Sequence, residues 1–254
     1  MKNKTEIESM RKGGKILSDI LDKLLQFTKI GVNLLAIEDE ANRLMNVYGV
    51  QPAFLGYYGY QYATCLNLNS IVQHGTPFDR VIVEGDLLSI DCGIIFEGMY
   101  LDSTRCKLIE GLEQERVCEA YQTEKLLIDC AYSCMNVACE QIKNGQKLSK
   151  VIKKIESKII EYEFQPIIEF CGHGVGYDLH EEPDIPNFWI SSNDDMILKS
   201  GMTLAIEPMI SSGSGYTESE GLLGLNARIV DDMKAVSYEN TVLVLDDGCE
   251  ILTN

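Results

Sequence analysis

Leu87-Leu88-Ser89-Ile90-Asp91-Cys92-Gly93-Ile94-Ile95-Phe96-Glu97-Gly98-Met99-Tyr100-Leu101-Asp102-Ser103-Thr104 is the stretch on which the fold turns. Two strand-length runs rich in apolar and β-type residues flank Glu97-Gly98, which reads as a break between them. If those two residues form a two-residue turn, Phe96 pairs with Met99 and Asp102 falls opposite Gly93. Asp91 and Gly93 share a face, so Asp102 projects from the same face as Asp91, on a diagonal of about 7 to 8 Å between backbone positions. A three-residue loop would send the two carboxylates to opposite faces. A lone strand aspartate also caps turns or faces water, so the pair needs further acids before it implies chemistry.

Outward from this hairpin the periodicity changes. Ile7, Met10, Gly14, Leu17, Ile20, Leu21 and Leu24 recur at three- and four-residue spacing and predict an amphipathic helix over Thr5 to Phe27, with a second over Ala36 to Tyr48. Tyr62 to Leu68 reads as a strand. Downstream, helices are expected over Glu113 to Lys143 and Leu148 to Tyr162, and strands at Ile167–Phe170, Met202–Ile210 and Thr241–Leu245. Helix, helix, strands thus occurs twice. That order points to an α+β fold of two related halves sharing an antiparallel sheet, with helices on one face. No Pro/Ser-rich linker parts the halves, so residues 1–254 are expected to form one domain. Glu181 to Lys199, with Pro183, Pro186 and several acids, reads as an exposed loop.

Composition narrows the classes. Hydrophobic residues make up 45% and charged residues 24%, which suits a soluble globular chain. Met1 to Lys4 is basic, but charged residues follow where the apolar core of an export signal should stand. The longest apolar runs fall far short of the roughly 20 residues that span a bilayer. A cytoplasmic protein with no membrane partner is expected. Nine cysteines without a C-x-x-C pair are expected to be reduced, with Cys118, Cys130 and Cys134 on one face of a helix as small apolar residues. A net charge of −17 would repel a phosphate backbone, so direct nucleic-acid binding is not expected.

The chain has three histidines. His74 lies in Val72-Gln73-His74-Gly75-Thr76-Pro77, and His173 and His180 lie in Cys171-Gly172-His173-Gly174-Val175-Gly176-Tyr177-Asp178-Leu179-His180-Glu181-Glu182-Pro183. Small neighbours leave room for something to approach each ring; the plainer alternative is a turn histidine bonded to backbone. His180-Glu181 does not open a zincin helix, because position 184 is Asp and Pro183 would break it. Two further acids, Glu207 and Glu239, sit inside apolar stretches. A carboxylate in a core strand implies a cation, a bonded partner or a raised pKa. Two divalent ions would balance Asp91, Asp102, Glu207 and Glu239, and neutral His173 would complete an oxygen-rich site.

Seven blocks, in order and spacing, resemble the type I methionine aminopeptidase family: Val72 to Pro77, Ser89-Ile90-Asp91, Leu101 to Thr104, Cys171 to Gly176, His180 to Pro183, Gly201 to Met209, and Tyr238 to Thr241. The resemblance runs to Asp247-Gly248-Cys249-Glu250-Ile251-Leu252, so it covers nearly the whole chain. It implies the pita-bread fold, a curved antiparallel sheet with pseudo-twofold halves and two metal ions near its centre. It implies that Asp91, Asp102, His173, Glu207 and Glu239 are the metal ligands, with Asp102 and Glu239 bridging. Glu207 would also accept a proton from water, His180 would bond the scissile peptide and His74 would steady the transition state. Tyr57, Tyr60, Cys65, Leu179 and Met209 match positions lining the methionine pocket. The substrate implied is the N-terminus of a peptide or nascent chain, the ions are Co, Mn, Fe or Zn, and a monomer is expected. The sequence departs from the family at Asn240, where a His is usual, at Leu179, where an aromatic is usual, and near Leu225, where a Trp is usual.

Two other readings share much of this pattern. Prolidases and aminopeptidase P share the five ligands but usually carry a sizeable extra N-terminal domain, and only about 60 residues precede the first strand-like block here. Type II relatives carry a long insertion near His180 that this chain lacks. A pita-bread binding module without metals would have no physical reason to keep four clustered acids.

Overall fold

The computed structural model describes residues 1–111, 121–191, 195–221 and 224–254. Helix α1 (Lys4–Phe27) starts at Asn3, whose side chain accepts from the Thr5 and Glu6 N–H groups while Glu6 reaches back to the Asn3 N–H. That reciprocal cap satisfies donors the first turn would otherwise leave orphaned. Met10, Leu17, Ile20, Leu21 and Leu24 form its fully buried stripe. Helix α2 (Leu34–Tyr48) is capped by Asn33 and stops at Gly49, which takes the left-handed conformation. Both helices begin one or two residues before their expected starts.

Five strands complete the first half: β1 (Gln51–Pro52), β2 (Thr64–Leu68), β3 (Ile71–Gln73), β4 (Leu87–Phe96) and β5 (Met99–Leu108). The β4–β5 turn has two residues, Glu97 at φ 50° and Gly98 at φ 81°. Both positive values match the twist of the flanking strands. The register is the expected one, with Phe96 opposite Met99, Gly93 opposite Asp102 and Asp91 opposite Thr104. Strands β1 and β2 pair with the other edge of β4.

The second half repeats the order. Helices α3 (Gln122–Gln141) and α4 (Leu148–Glu161) precede β6 (Gln165–Pro166), β7 (Cys171–Gly174), β8 (Glu181–Pro186), β9 (Thr203–Ile206), β10 (Met209–Ser211), β11 (Thr217–Glu220), β12 (Asn226–Ile229), β13 (Ala235–Ser237), β14 (Asn240–Leu245) and β15 (Gly248–Ile251). Among the described residues the strands form four antiparallel sheets, the largest in the order β15-β14-β9-β7-β8. Cys130 and Cys134 are buried on α3 as expected; Cys118 and the expected helix start at 113 lie outside the described residues.

The halves meet where β5 runs beside β14. Thr104 and Glu239 exchange backbone hydrogen bonds of 3.3 and 3.1 Å, and Thr241 Oγ1 accepts from the Asp102 N–H and donates to the Asp102 carbonyl. One apolar cluster joins α1 and α2 to β4 and β5, and a second joins α3 and α4 to β9 and β14. Among the described residues no helix is long and apolar enough to cross a membrane.

Three expectations need correction. Glu181–Pro186 is a strand at the edge of the five-stranded sheet, where proline costs no paired N–H. Residues 167–170 form no strand, because Ile167 and Ile168 donate to Met209 and Gly215 on a bending path between β6 and β7. Met202–Ile210 is interrupted at Glu207-Pro208: Pro208 has no N–H to give, so β9 pairs with β14 while β10 joins β13 in another ladder.

Candidate active site

The hairpin register brings Asp91 and Asp102 to one face, and their carboxyls are hydrogen-bonding neighbours. Thr104, opposite Asp91, places its Oγ1 3.0 Å from Asp91 Oδ1 and 3.2 Å from Glu239 Oε2. Its single hydroxyl proton serves one of them at a time. Glu239 arrives one residue ahead of β14, on the seam between the halves, with its backbone carbonyl accepting from Ser103 Oγ at 2.8 Å. Glu207 arrives at the proline break after β9. Gln73 donates from Nε2 to Glu207 Oε1 at 2.7 Å, and Asn187 holds the Glu207 carbonyl at 2.9 Å.

His173 projects from β7. Its Nδ1 lies 2.9 Å from the Gly174 carbonyl, which can only accept, so Nδ1 carries the proton and Nε2 keeps its lone pair. The flanking glycines serve the sheet rather than an incoming ligand. A Cβ on Gly172 would stand 2.4 Å from the Ala205 carbonyl oxygen, and one on Gly174 would stand 2.4 Å from that of Glu182.

These groups share a pocket of about 450 Å³. Asp102, His173 and Glu239 each offer a ligand atom within 4.8 Å of the others. Asp91 and Glu207 lie outside that tightest trio, yet their charges press on its carboxyls. At that 4.8 Å spacing two full negative charges repel by roughly 3 kcal/mol at an effective dielectric near 20. Protons therefore stay. Burial pushes Asp91 up to about 7. Burial and neighbouring acids lift Asp102, Glu207 and Glu239 well above the ordinary carboxylate range. Burial and then His180 hold His173 down to about 4, so its imidazole is neutral.

The donor set suits divalent cations. Glu239 Oε1 is buried without a hydrogen-bond partner, and an acceptor buried in that state costs free energy until something positive meets it. Four carboxyls that would rather be neutral, a neutral imidazole and an orphaned oxygen match a hard or borderline cation.

The other expected site residues divide. His180 lies over the cluster, its ring edge-on to His173 with centroids 4.3 Å apart, and its Nδ1 is 3.1 Å from the Tyr57 hydroxyl. His74 follows β3 in a left-handed conformation, edge-on to Phe170. Desolvation lowers the pKa of both rings. Tyr57, Tyr60, Cys65 and Leu179 line the pocket. Met209 does not. Beyond the Pro208 break its side chain is fully buried with Val72, Ile167 and Ile229, which corrects its expected place in the pocket wall.

Asn240 points away from the acids: its Oδ1 accepts from Arg105 and Thr253, so the departure there leaves the cluster untouched. Leu225 does line the pocket. Sequence reasoning passed over Gln73, Thr104, Asn187, Phe54 and Phe170. Gln73 and Thr104 stood inside quoted motifs, and Thr104 is two residues beyond Asp102 on the same strand face. No local signal marks Asn187.

A model described as metallopeptidase family M24 matches residues 8–246. The methionine aminopeptidase of Clostridium perfringens is similar at 32% identity over 253 residues, covering 100% of this chain and 98% of that protein. Methionine aminopeptidase 1 of Bacillus subtilis is 31% identical over 254 residues, covering 99% and 98%. The crystal structure of a methionine aminopeptidase from Thermotoga maritima superposes with a TM-score of 0.92 at 33% identity, covering 100% of this chain and 98% of that one. A prolidase from Pyrococcus furiosus shares the fold with a TM-score of 0.78 at 24% identity, but this chain covers 65% of its length.

Proposed function

This chain belongs to metallopeptidase family M24, and we propose that it removes the initiator methionine from new polypeptides with a small second residue. The ligands for two divalent ions, Co, Mn, Fe or Zn, are Asp91, Asp102, His173, Glu207 and Glu239. One observation carries this reading: four buried carboxyls and a neutral imidazole converge on the floor of a pocket walled by Phe54, Tyr57, Tyr60, Cys65 and Leu179. When bound, the ions supply the positive charge that lets the acids ionise, lowers the pKa of water and polarises a carbonyl.

The chain's own groups do the rest. Gln73 fixes one oxygen of Glu207, which leaves the other free to take a proton at the floor. His180 and His74, with lowered pKa values, are neutral near pH 7 and each offers both a donor and an acceptor to a peptide. A thioether side chain packs well against aromatic rings and soft groups, and the wall provides both. Peptide N-termini in the cytoplasm are the substrates this reading requires.

The test is turnover. Metal-stripped protein resupplied with Mn, Fe or Co under anaerobic conditions is expected to release methionine from Met-Ala-Ser and to leave X-Pro dipeptides intact. Cleavage of X-Pro alone would move the assignment to the prolidase branch. Silence with every metal would leave a binding module.

A further inference from the structure

Lys2 belongs to the short stretch ahead of α1, yet its side chain is 2% exposed. Its Nζ donates to the Val175 carbonyl at 2.8 Å and to Glu181 Oε2 at 2.7 Å, and it lies 4.6 Å from the centre of the Tyr177 ring. The backbone is anchored as well, with the Lys2 N–H on the Gly201 carbonyl and the Tyr177 hydroxyl on the Met1 carbonyl. Gly176, at φ 142°, makes the space: a Cβ there would fall 2.2 Å from Lys2 Cε.

The partner of this lysine does a second job. Glu181 Oε1 accepts from the backbone N–H groups of Tyr177 and Asp178. One carboxylate therefore closes the turn over residues 177–181, and inside that turn stand Leu179, in the pocket wall, and His180, edge-on to His173. Burial works to raise the Glu181 carboxyl, but Lys2 and the two amides together hold it below its usual range. Helix α1 has no need of this contact, since Asn3 and Glu6 already cap it.

We propose that Lys2 is a positioning residue: through Glu181 it locks the 177–181 turn and so sets His180 over the cluster and Leu179 into the wall. The proposal rests on reading this pocket as the methionine-releasing site. A partly buried ion pair adds little net stability once desolvation is counted, so its effect is expected in geometry. Displacing a group that contacts the reacting bond by about 1 Å can cost on the order of 100-fold in rate.

The experiment compares Lys2→Met, Glu181→Gln and the double variant in the full-length, metal-loaded protein. Each single change is expected to lower kcat on Met-Ala-Ser at least tenfold, with KM moving less than threefold and bound metal unchanged. The double variant should be no worse than the poorer single one, because both changes cut one linkage. In parallel, the imidazole nitrogen resonances of metal-free protein are expected to show His180 shifted in each variant and His74 unmoved. An unshifted His180 resonance, wild-type kcat in Lys2→Met, or losses that multiply in the double variant would overturn the proposal. Should Lys2→Met fail to fold, Glu181→Gln carries the same comparison, since its amide oxygen can still accept from the turn while the ion pair is gone. If the unmodified protein releases no methionine, the functional reading fails, and the resonance measurement alone decides the linkage.

Discussion

The floor of the pocket and its wall differ in how they are held. Asp91, Asp102, His173, Glu207 and Glu239 are all at most 7% exposed, and they sit on β4, β5 and β7 or at the ends of β9 and β14. Each has a partner within hydrogen-bond reach: Thr104 for Asp91 and Glu239, the Ser103 N–H for Asp102, Gly174 for His173 and Gln73 for Glu207. Apart from Cys65 on β2, the wall is drawn mostly from connections. Tyr57 and Tyr60 come from the segment before β2, Leu179 and His180 from the turn before β8, and Leu225 from the approach to β12. The carboxyls and His173 stand on strands or at their ends, whereas most of the surface that meets a side chain, with His180 and His74, stands on loops.

Changes at the floor should therefore be far more damaging than changes at the wall. Glu207→Gln and His173→Ala are each expected to lower kcat/KM by roughly 1,000-fold or more, in line with losing a positioned proton acceptor or a ligand. The far-ultraviolet circular dichroism should stay native, since Gln fills the same volume and sheds a costly acid. Turnover within tenfold of the unmodified protein in either variant would erase the distinction between the two regions.

Acidity sharpens the same contrast. Asp91 at about 7, and Asp102, Glu207 and Glu239, which burial and neighbouring acids raise well above the ordinary carboxylate range, hold protons in the folded metal-free chain that the unfolded chain releases near its ordinary carboxylate pKa. Stability from a raised carboxyl is complete below the unfolded pKa and is lost as pH climbs through the folded one. Near pH 6.5 an unfolded histidine is about half protonated while the folded rings, with their lowered pKa values, are mostly neutral, so the three histidines oppose the four carboxyls at first and cease to by about pH 7.5. Each extra proton held by the fold costs about 1.4 kcal/mol of stability per pH unit. The melting temperature of metal-free protein is expected to fall between pH 6.5 and 8, and divalent metal should restore it while releasing protons, as calorimetry in two buffers can measure. A flat melting profile without metal would mean that the floor acids are not held protonated.

How much of this could be read from the chain follows from how local each feature is. The β4–β5 register needed one fact, a two-residue turn, and it placed Asp91 beside Asp102 correctly. Strand β8 was hidden because Pro183 and Pro186 look like loop residues, although Pro183 and Ile185 point inward while Glu182 and Asp184 point out, the period of a strand. Gly172 and Gly174 were noticed for a mistaken reason: they admit neighbouring backbone rather than a ligand. Met209 was expected in the wall because its position matches the family's pocket, but here it lies beyond the Pro208 break and packs with Val72, Ile167 and Ile229. Asn187 reaches Glu207 across 20 positions of sequence, a distance over which periodicity carries no information.

The mildest test lies where wall touches chemistry. Tyr57→Phe removes the hydroxyl that meets His180 Nδ1 at 3.1 Å and keeps the ring, whose centre lies 5.3 Å from the imidazole. A neutral hydrogen bond near solvent is worth about 0.5 to 1.5 kcal/mol net. The ring contact and the Glu181-held turn still confine His180, so kcat/KM on Met-Ala-Ser should fall only some two- to tenfold, with bound metal unchanged. A loss approaching that of Glu207→Gln would show that the Tyr57 hydroxyl orients the reacting imidazole as tightly as Gln73 orients Glu207. The boundary between floor and wall would then have to be redrawn to include residue 57.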